Sequence, residues 1–535
     1  MKLLRPILLF AALTAVMTWP QVAHLGTKAL DHQDVFFNMW RLAWFAHALV
    51  TAPRHLLDGN VFYPEPRTLT FSDAMPVESI IAAPFLWSGV PPVLVHNLLL
   101  LGAIVLSGAG ACVLARRLTG SATAGVTAGI VFAFAPYRFE HFMHMELQWT
   151  VWTPWAFWAL DRTLVTGERR FGVLTGACVA LQMLSSVYYG IFLAVELGLC
   201  ALLLIAGERQ RFRAIAVSLA LGGAIAAGIS AAYAVPYLAT KNQLGGRAES
   251  QIVEFSAKPS SYLIASRGNY LYGKGADRRG RSERRLFPGI LPCVLAVFGL
   301  LAVRPSRQAI AYLLALVLAF EMSLGFYGYS YRFLYEHLPL FEGLRAPARL
   351  GIFVVFFLGL LAARGHAAAE QAVSPPIKRV LAFAIPAALL LEFWVAPLPL
   401  IAYPNAAPPL YAWLAQQPRS VVLELPVPLP ETLPGDEARY SYMSTFHWMP
   451  LANGYSGFYP PSYLARLDAL RRFPDDAAVA RLRHDGVRYI VVHPASYDSS
   501  VDVKQILSDM TGSTTFRQLG HFADGRAEAI VFALR

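Results

Sequence analysis

His32-Gln33-Asp34-Val35-Phe36-Phe37-Asn38-Met39-Trp40 follows the first long apolar run of the chain, residues 5–23. It sets one carboxylate, Asp34, where a span-length hydrophobic segment has ended and an aromatic-rich segment begins. Phe36, Met39, Trp40, Ala43, Trp44 and His47 then recur at three- and four-residue spacing, which describes one face of a helix over 35–49. Such a face fits a helix lying in the lipid headgroup layer, and equally a helix packed on a protein core. Either way Asp34 stands at the helix start, where negative charge is favoured and where a short acidic side chain can act as N-cap. An acid at that level can meet a membrane-borne molecule without entering hydrocarbon.

The rest of the chain places this boundary in a membrane. Of 535 residues, 56% are hydrophobic and 15% charged, more apolar than a soluble protein at about 45–50%. A helical crossing needs roughly 20 mostly apolar residues. Such runs occur near 5–23, 92–115, 121–137, 147–161, 171–187, 190–206, 214–238, 287–303, 308–326, 346–363 and 379–397, about eleven crossings in all. The apolar segment 76–90 is short and bounded by Pro76, which predicts a re-entrant or interfacial piece. No clear small-x-small cleavage site follows the first run, so an uncleaved anchor is expected rather than a signal peptide.

Lys and Arg set the orientation. Lys2 and Arg5, then Arg116 and Arg117, Arg169 and Arg170, Arg209, Arg211 and Arg213, Arg304 and Arg307, and Lys378 and Arg379 mark alternate loops. The N-terminus is therefore expected in the cytoplasm, with Asp34, the 138–146 turn, the 239–286 and 327–345 loops and everything after about 399 on the other side. This divides the chain into a transmembrane domain over 1–398, with outer loops 24–91 and 239–286, and an outer α/β domain over 399–535. In the latter, stretches 420–425, 487–492 and 529–533 alternate like strands, and 463–472 and 476–484 read as helices. With 12 Lys or Arg against 13 Asp or Glu it is near neutral, so the net charge of +11 belongs to the membrane part. No basic stripe interleaved with aromatics marks a soluble module, which excludes nucleic acid. The four cysteines, Cys112, Cys178, Cys200 and Cys293, lie in apolar runs without zinc-ligand spacing.

Several clusters carry chemistry. Asp34 suits a general base if an acceptor hydroxyl can reach it. Arg138-Phe139-Glu140-His141-Phe142-Met143-His144-Met145-Glu146 crowds ionisable groups between two spans, where they should face a polar cavity. Acid–base or substrate contact by Arg138, Glu140, His141, His144 and Glu146 is one reading; a plain turn, or a metal held by the two histidines with Glu140 or Glu146, are the others. Loop 239–286 carries ten Lys or Arg against four acids, an excess that attracts anionic headgroups or a lipid phosphate. Arg345 and Arg349, one turn apart where a span begins, could grip a phosphate together. The aromatic loop around Tyr63, and Tyr455 in the run His447 to Phe458, offer rings suited to sugar faces. No Walker loop, dinucleotide fingerprint or nucleophile elbow is present.

The runs "DVFFNMWRLAW", "FAFAPYRFEHFMH", "LPLFEGLRAPARLG" and "PLANGYSGF", with an acid after the first span and an outer C-terminal domain, resemble the GT-C glycosyltransferases. These include protein O-mannosyltransferases, lipid A aminoarabinose transferases and bacterial oligosaccharyltransferases, and the likeness is strongest to uncharacterised bacterial members. The resemblance implies a polytopic α-helical enzyme of the bacterial inner membrane, working on its periplasmic face. It implies a polyprenyl-phosphate-linked sugar as donor, a glycan, lipid or protein as acceptor, Asp34 as base and the 138–146 cluster as helper. The expected reaction is inverting: Asp34 deprotonates the acceptor while Arg345, Arg349 and loop 239–286 stabilise the departing lipid phosphate. Many relatives carry paired acids in the first loop, whereas Val35 follows Asp34 here, so the assisting acid stays open among Asp73, Glu140 and Glu146. A divalent metal, Mg or Mn, serves some relatives and not others. Two rivals remain. A lipid-linked glycan flippase would need polar groups deep in several spans, where only Gln182, Glu196 and Glu321 occur. The other is a non-catalytic polysaccharide-assembly protein.

Overall fold

The computed structural model describes residues 3–275 and 281–535. Lys2, Asp277, Arg278 and Arg279, which count in the charge pattern, lie outside the described residues.

A helix lies in each stretch read as a span: Leu4–Met17, Pro92–Thr119, Ala122–Phe134, Trp152–Thr166, Arg169–Ser185, Val187–Ile205, Phe212–Leu244, Ile290–Ala302, Arg307–Ser323, Gly351–Gln371 and Pro375–Glu392. Among the described residues four helices are long and apolar enough to cross a membrane: Pro92–Thr119, Val187–Ile205, Phe212–Leu244 and Pro347–Gln371. Local chemistry fixes several ends. The Ser121 and Ser306 hydroxyls accept the amides of Ala124 and Ala309 as N-caps. Gly176 allows backbones to meet: a Cβ there would lie 1.9 Å from the Gly222 carbonyl oxygen, the small-residue packing that membrane helices use in place of a hydrophobic driving force. The 76–90 segment forms the helix Pro76–Trp87, with Glu78, Ser79, Ala82 and Ala83 buried and Ile80, Ile81, Phe85 and Trp87 exposed.

The chain folds as two compact units. One comprises Met1–Ala23, Leu98–Val235 and Gly245–Pro399; the other comprises His24–Asn97, Pro236–Leu244 and Leu400–Arg535. The first outer loop therefore folds with the C-terminal segment, across the chain-order boundary at 398/399.

In that second unit a four-stranded sheet has the order β3-β4-β6-β5. β3 (Val421–Leu425) runs parallel to β4 (Val487–Val492), and β6 (Glu528–Leu534) pairs antiparallel with both β4 and β5 (Phe516–Ala523). Leu423, Leu482, Ile490 and Phe532 lie in its core. A separate two-stranded ribbon joins β1 (Lys28–Leu30) to β2 (Leu400–Ala402). The helices Pro461–Ala469 and Asp476–His484 fall where periodicity places them.

The aromatic helix after Asp34 spans Gln33–Thr51 and is buried around most of its circumference. It is thus a core helix, the second of the two readings of its aromatic face. Trp40 Nε1 donates to Asn60 Oδ1 at 3.0 Å, and Asn60 Nδ2 donates to Ser444 Oγ and to the Met449 carbonyl, each at 3.0 Å. Backbone bonds Leu451 N to Asn60 O, Tyr63 N to Leu451 O and Phe62 N to Asn453 O, at 2.7, 2.9 and 2.8 Å, lay the 60–63 segment alongside 451–453.

Candidate active site

Asp34 is not the N-cap of its helix. That position belongs to His32, in extended conformation, whose Nδ1 accepts the Asp34 amide at 3.1 Å. Since a histidine ring reaches the amide from the cap, the carboxylate is released from capping and turns elsewhere. Its Oδ1 accepts a hydrogen bond from the Tyr455 hydroxyl at 2.8 Å, and its Oδ2 lies 3.2 Å from His32 Nδ1. The Asp34 side chain keeps 15% of its surface exposed and His32 keeps 38%, so the carboxylate is largely sheltered yet reachable. Burial, then the facing Asp34 charge and hydrogen bond, push the Tyr455 phenol well above its ordinary pKa. Tyr455 is therefore a donor at any physiological pH.

The ring of Tyr455 packs edge-on against Phe37, one turn along the helix, with centroids 5.1 Å apart. Its backbone is held from below. Asn453 Oδ1 accepts the Glu424 amide at 2.7 Å, while Nδ2 donates to the Glu424 carbonyl at 2.9 Å and to Glu437 Oε1 at 3.1 Å. The Gly454 amide donates to Glu437 Oε2 at 2.7 Å. A Cβ on Gly454 would meet the Phe62 ring at 2.5 Å, so the close approach requires glycine. Burial pushes the Glu437 carboxyl up to about 8, against the pull of those two donors. Glu424 continues the network: His493 Nε2 lies 2.7 Å from its Oε2, His493 Nδ1 lies 2.8 Å from Asp524 Oδ2, and the Tyr411 hydroxyl donates to Oε2 at 2.9 Å. Burial works against the His493 cation, but the bonds to Asp524 and Glu424 outweigh it and raise its pKa. The sequence suggests a sugar-stacking ring at Tyr455, and the structure places its hydroxyl on Asp34. Tyr63 presents an exposed ring, and its backbone is fixed by Leu451 and by Arg466, which donates to its carbonyl at 2.7 Å. Asp73 is buried, and its carbonyl accepts Arg41 Nη1 at 2.6 Å.

The other unit holds the 138–146 turn and the arginines of the later loops. Arg138 is a buried clamp rather than a substrate contact: Nε donates to the Phe132 carbonyl at 2.6 Å, and its two terminal nitrogens bond Gln148 and Thr150. Glu140 forms a buried ion pair with Arg285 and accepts the Arg267 amide at 3.3 Å. These bonds occupy both of its oxygens, which argues against a role as assisting acid. Both ring nitrogens of His141 lack a hydrogen-bond partner among the described residues, and burial drives its pKa down to about 3. His144 is half-buried beside it, with ring centroids 5.9 Å apart, and Glu146 is buried. No group of three or more His, Cys, Asp or Glu among the described residues is arranged to hold a metal ion, and Glu140 is already committed to Arg285.

Arg345 and Arg349 do not share a helical turn. Arg345 precedes the short 3-10 turn Pro347–Leu350, and Arg349 lies within it. Arg349 is buried 3.7 Å from Glu283, with its guanidinium over the Tyr188 ring at 4.7 Å. Burial opposes ionisation of Glu283, but the facing His141, Arg349 and His144 outweigh it and hold its carboxyl down to about 2. Arg345 is half-buried over Phe255 at 5.1 Å, its amide donating to the Tyr188 hydroxyl at 2.8 Å. The basic loop adds Arg247, pulled down to about 10 by burial and by the like charges of Arg345 and Arg349. Arg247 thus feels the like charges of Arg345 and Arg349, while Arg349 faces the carboxylates of Glu283 and Glu146, a concentration of guanidinium groups of the kind that attracts an anion.

Sequence reasoning gives no role to His32, Asn453, Glu437 or the Glu424–His493–Asp524 group. Glu424 alone carries a signal, as a charged residue inside the wholly buried strand β3.

Residues 4–391 match the profile of a family described as a domain of unknown function, DUF6311. The chain belongs to the DUF6311 family. No curated protein sequence matches it. Among solved structures, the arabinofuranosyltransferase AftD from mycobacteria superposes with a TM-score of 0.63 at 17% identity, covering 99% of this chain and 41% of AftD. ArnT from Cupriavidus metallidurans, bound to undecaprenyl phosphate, superposes with a TM-score of 0.51 at 14% identity, covering 98% of this chain and 97% of ArnT. This DUF6311 chain thus has the GT-C glycosyltransferase fold, and it spans about two-fifths of the AftD length.

Proposed function

We infer that this membrane protein transfers a sugar from a polyprenyl-phosphate carrier to a glycan, lipid or protein acceptor, at the periplasmic face of a bacterial inner membrane. The observation that carries the reading is the state of Asp34: a sheltered but reachable carboxylate whose Oδ1 is fixed by Tyr455, in a fold shared with AftD and ArnT. Asp34 takes the proton of the acceptor hydroxyl as that oxygen attacks the anomeric carbon. The bond from that carbon to the phosphate oxygen breaks, inverting the centre and releasing lipid phosphate. A base of this kind contributes about 10²–10⁴-fold. Within their own unit Arg247 and Arg345 make a positively charged group of the kind that binds a phosphate, and Arg349 is paired there with Glu283.

The test uses the purified full chain in detergent, a panel of undecaprenyl-phosphate-linked pentoses and hexoses, and the release of undecaprenyl phosphate. Wild type is expected to release it and Asp34→Asn to release none while remaining folded. An Asp34→Asn protein that turns over at the wild-type rate removes the base. A wild type inactive over the whole panel removes the transferase reading and favours a transporter or an assembly protein.

A further inference from the structure

We propose that a cavity at one end of the membrane helices binds the headgroup of an anionic phospholipid, apart from any site for a sugar donor. The cavity lies within the first unit and has a volume of about 170 Å³. Its walls are the last residues of Pro92–Thr119, Val303 just past Ile290–Ala302, the start of Arg307–Ser323 and the C-terminal half of Gly351–Gln371. Arg349 stands just before that last helix and Gln371 ends it. The 21 residues between them span about 30 Å along the axis, the thickness of the hydrocarbon layer.

The polar groups of the lining are donors, and no Asp or Glu is among them. Of the five N–H groups of Arg364, that on Nε goes to the Gly299 carbonyl at 3.0 Å, and those on Nη2 go to the carbonyls of Val303 and Arg304 at 3.1 and 2.7 Å. The pair on Nη1 bonds nothing among the described residues, and no carboxylate there is paired with this guanidinium. The side-chain amides of Gln308 and Gln371 likewise make no hydrogen bond among the described residues. Ser306 Oγ accepts the Ala309 amide at 3.2 Å, which leaves its hydroxyl hydrogen and the first-turn amides of Arg307 and Gln308 for another acceptor. The helix they open is 17 residues long, so its positive end adds to the charge of Arg364. Two buried acids of these helices are engaged elsewhere: Glu370 accepts Ser121 Oγ at 2.9 Å and the Thr123 hydroxyl, and Asp161 pairs with Arg117.

Donors around an unopposed guanidinium suit a phosphate. The volume is about tenfold the roughly 10–15 Å³ that one water needs, room for a phosphate with glycerol attached. Apolar surface makes the ligand an amphiphile. Leu118, Leu360 and Leu361 line the same cavity, and Leu301 and Ile310, close in sequence to lining residues, are exposed where acyl chains can cover them. Arg304 and Arg307 are exposed on either side of Ser306, in a loop whose charge is expected to face the cytoplasm, and basic pockets between spans on that side take anionic headgroups. Since the lining holds no acid, the ammonium of a zwitterionic lipid finds no partner, and phosphatidylglycerol is favoured over phosphatidylcholine.

The purified full chain in detergent is titrated with phosphatidylglycerol, with phosphatidylcholine and with free glycerol phosphate. Bound lipid is counted by native mass spectrometry, and melting is followed by tryptophan fluorescence. We expect phosphatidylglycerol to bind about tenfold more tightly than phosphatidylcholine and to raise the melting temperature, and free glycerol phosphate at the same concentration to do neither. Gln308→Glu sets a carboxylate in the lining at nearly constant size, in the first turn of a helix where negative charge is favoured. It should melt like wild type without lipid and lose the preference for phosphatidylglycerol. Arg364→Gln should lose the preference too, but it strips three carbonyls of their donor, so Gln308→Glu decides if that variant does not fold. Equal binding of the two lipids overturns the site, and so does a Gln308→Glu protein that keeps the wild-type preference. Free glycerol phosphate that protects as well as phosphatidylglycerol overturns the assignment to a lipid.

Discussion

Glu437 links stability to pH in a way that the structure fixes in sign and size. The carboxyl is fully buried, and burial lifts its pKa from an ordinary 4.5 to about 8. The folded chain therefore keeps this proton up to about pH 8, whereas the unfolded chain releases it near 4.5. Between those values the native state binds more protons, so stability falls as pH rises. Below 4.5 the contribution is fully present; above about 8 it is gone. At about 1.4 kcal/mol per unit, a rise from 4.5 to about 8 corresponds to roughly 5 kcal/mol.

Glu437→Gln removes the proton from this balance. It also turns one of the two acceptor oxygens facing Asn453 Nδ2 and Gly454 N into an NH₂ group, a pH-independent loss of about 1–3 kcal/mol. His493, whose pKa is raised, adds a slope of the same sign, but it is present in both proteins and cancels in their difference. The assay is denaturation of the purified chain in detergent from about pH 4.5 to about pH 8.5, followed by tryptophan fluorescence. The wild type should begin more stable than Glu437→Gln in acid and lose its lead by about 5 kcal/mol toward pH 8. For a unit of 150–250 residues that is about 10–20 °C in melting temperature. Parallel curves for the two proteins would mean that Glu437 is ionised in the fold, and the reasoning from burial would be refuted.

Asn453→Ala should leave the Glu424 amide and carbonyl and one Glu437 oxygen without their partner, lowering stability by about 3–6 kcal/mol; urea denaturation reads this directly. Gly454→Ala forces a methyl toward the Phe62 ring and should cost about 1–3 kcal/mol by melting. Arg345→Gln is expected to weaken undecaprenyl phosphate binding about tenfold at unchanged melting temperature, measured by quenching of tryptophan fluorescence. Arg349→Gln should instead lower stability by about 3–5 kcal/mol, because Glu283 is left buried and unpaired; equal melting of the two variants would contradict this division of roles.

The long apolar helices were legible because an apolar run of about twenty residues matches the thickness of the hydrocarbon layer, whereas their ends were not, being set by single side chains such as the capping hydroxyls of Ser121 and Ser306. β3, β4 and β6 were legible through alternation or continuous apolarity. β5 was not, since Arg517, Gln518 and His521 face outward from an edge strand and Gly520 sits at a register shift. Asp34 could be singled out from its place after a span, but the identity of its neighbours could not. His32 is close by in sequence, yet a histidine N-cap has no strong propensity signature. Tyr455 lies 421 residues from Asp34, and no local pattern encodes a contact of that separation. The charged cluster at 138–146 was legible as a cluster, yet charge count alone does not distinguish a clamp such as Arg138 from a group left open to substrate.

Closing a chain over hundreds of residues costs little more than closing it over tens, since the entropic term grows only with the logarithm of loop length. What must be supplied is local rigidity at the far end. Here it comes from Asn453, which reads both backbone groups of Glu424, and from Gly454, whose missing side chain admits Phe62. These contacts fix the Tyr455 backbone to a buried sheet, and Phe37 fixes its ring. The hydroxyl that meets Asp34 is thus set by Asn453, Gly454 and Phe37. Losing such support displaces the carboxylate without removing any donor-binding group, so substitutions at 453 and 454 that spare the fold should lower kcat and leave KM in place.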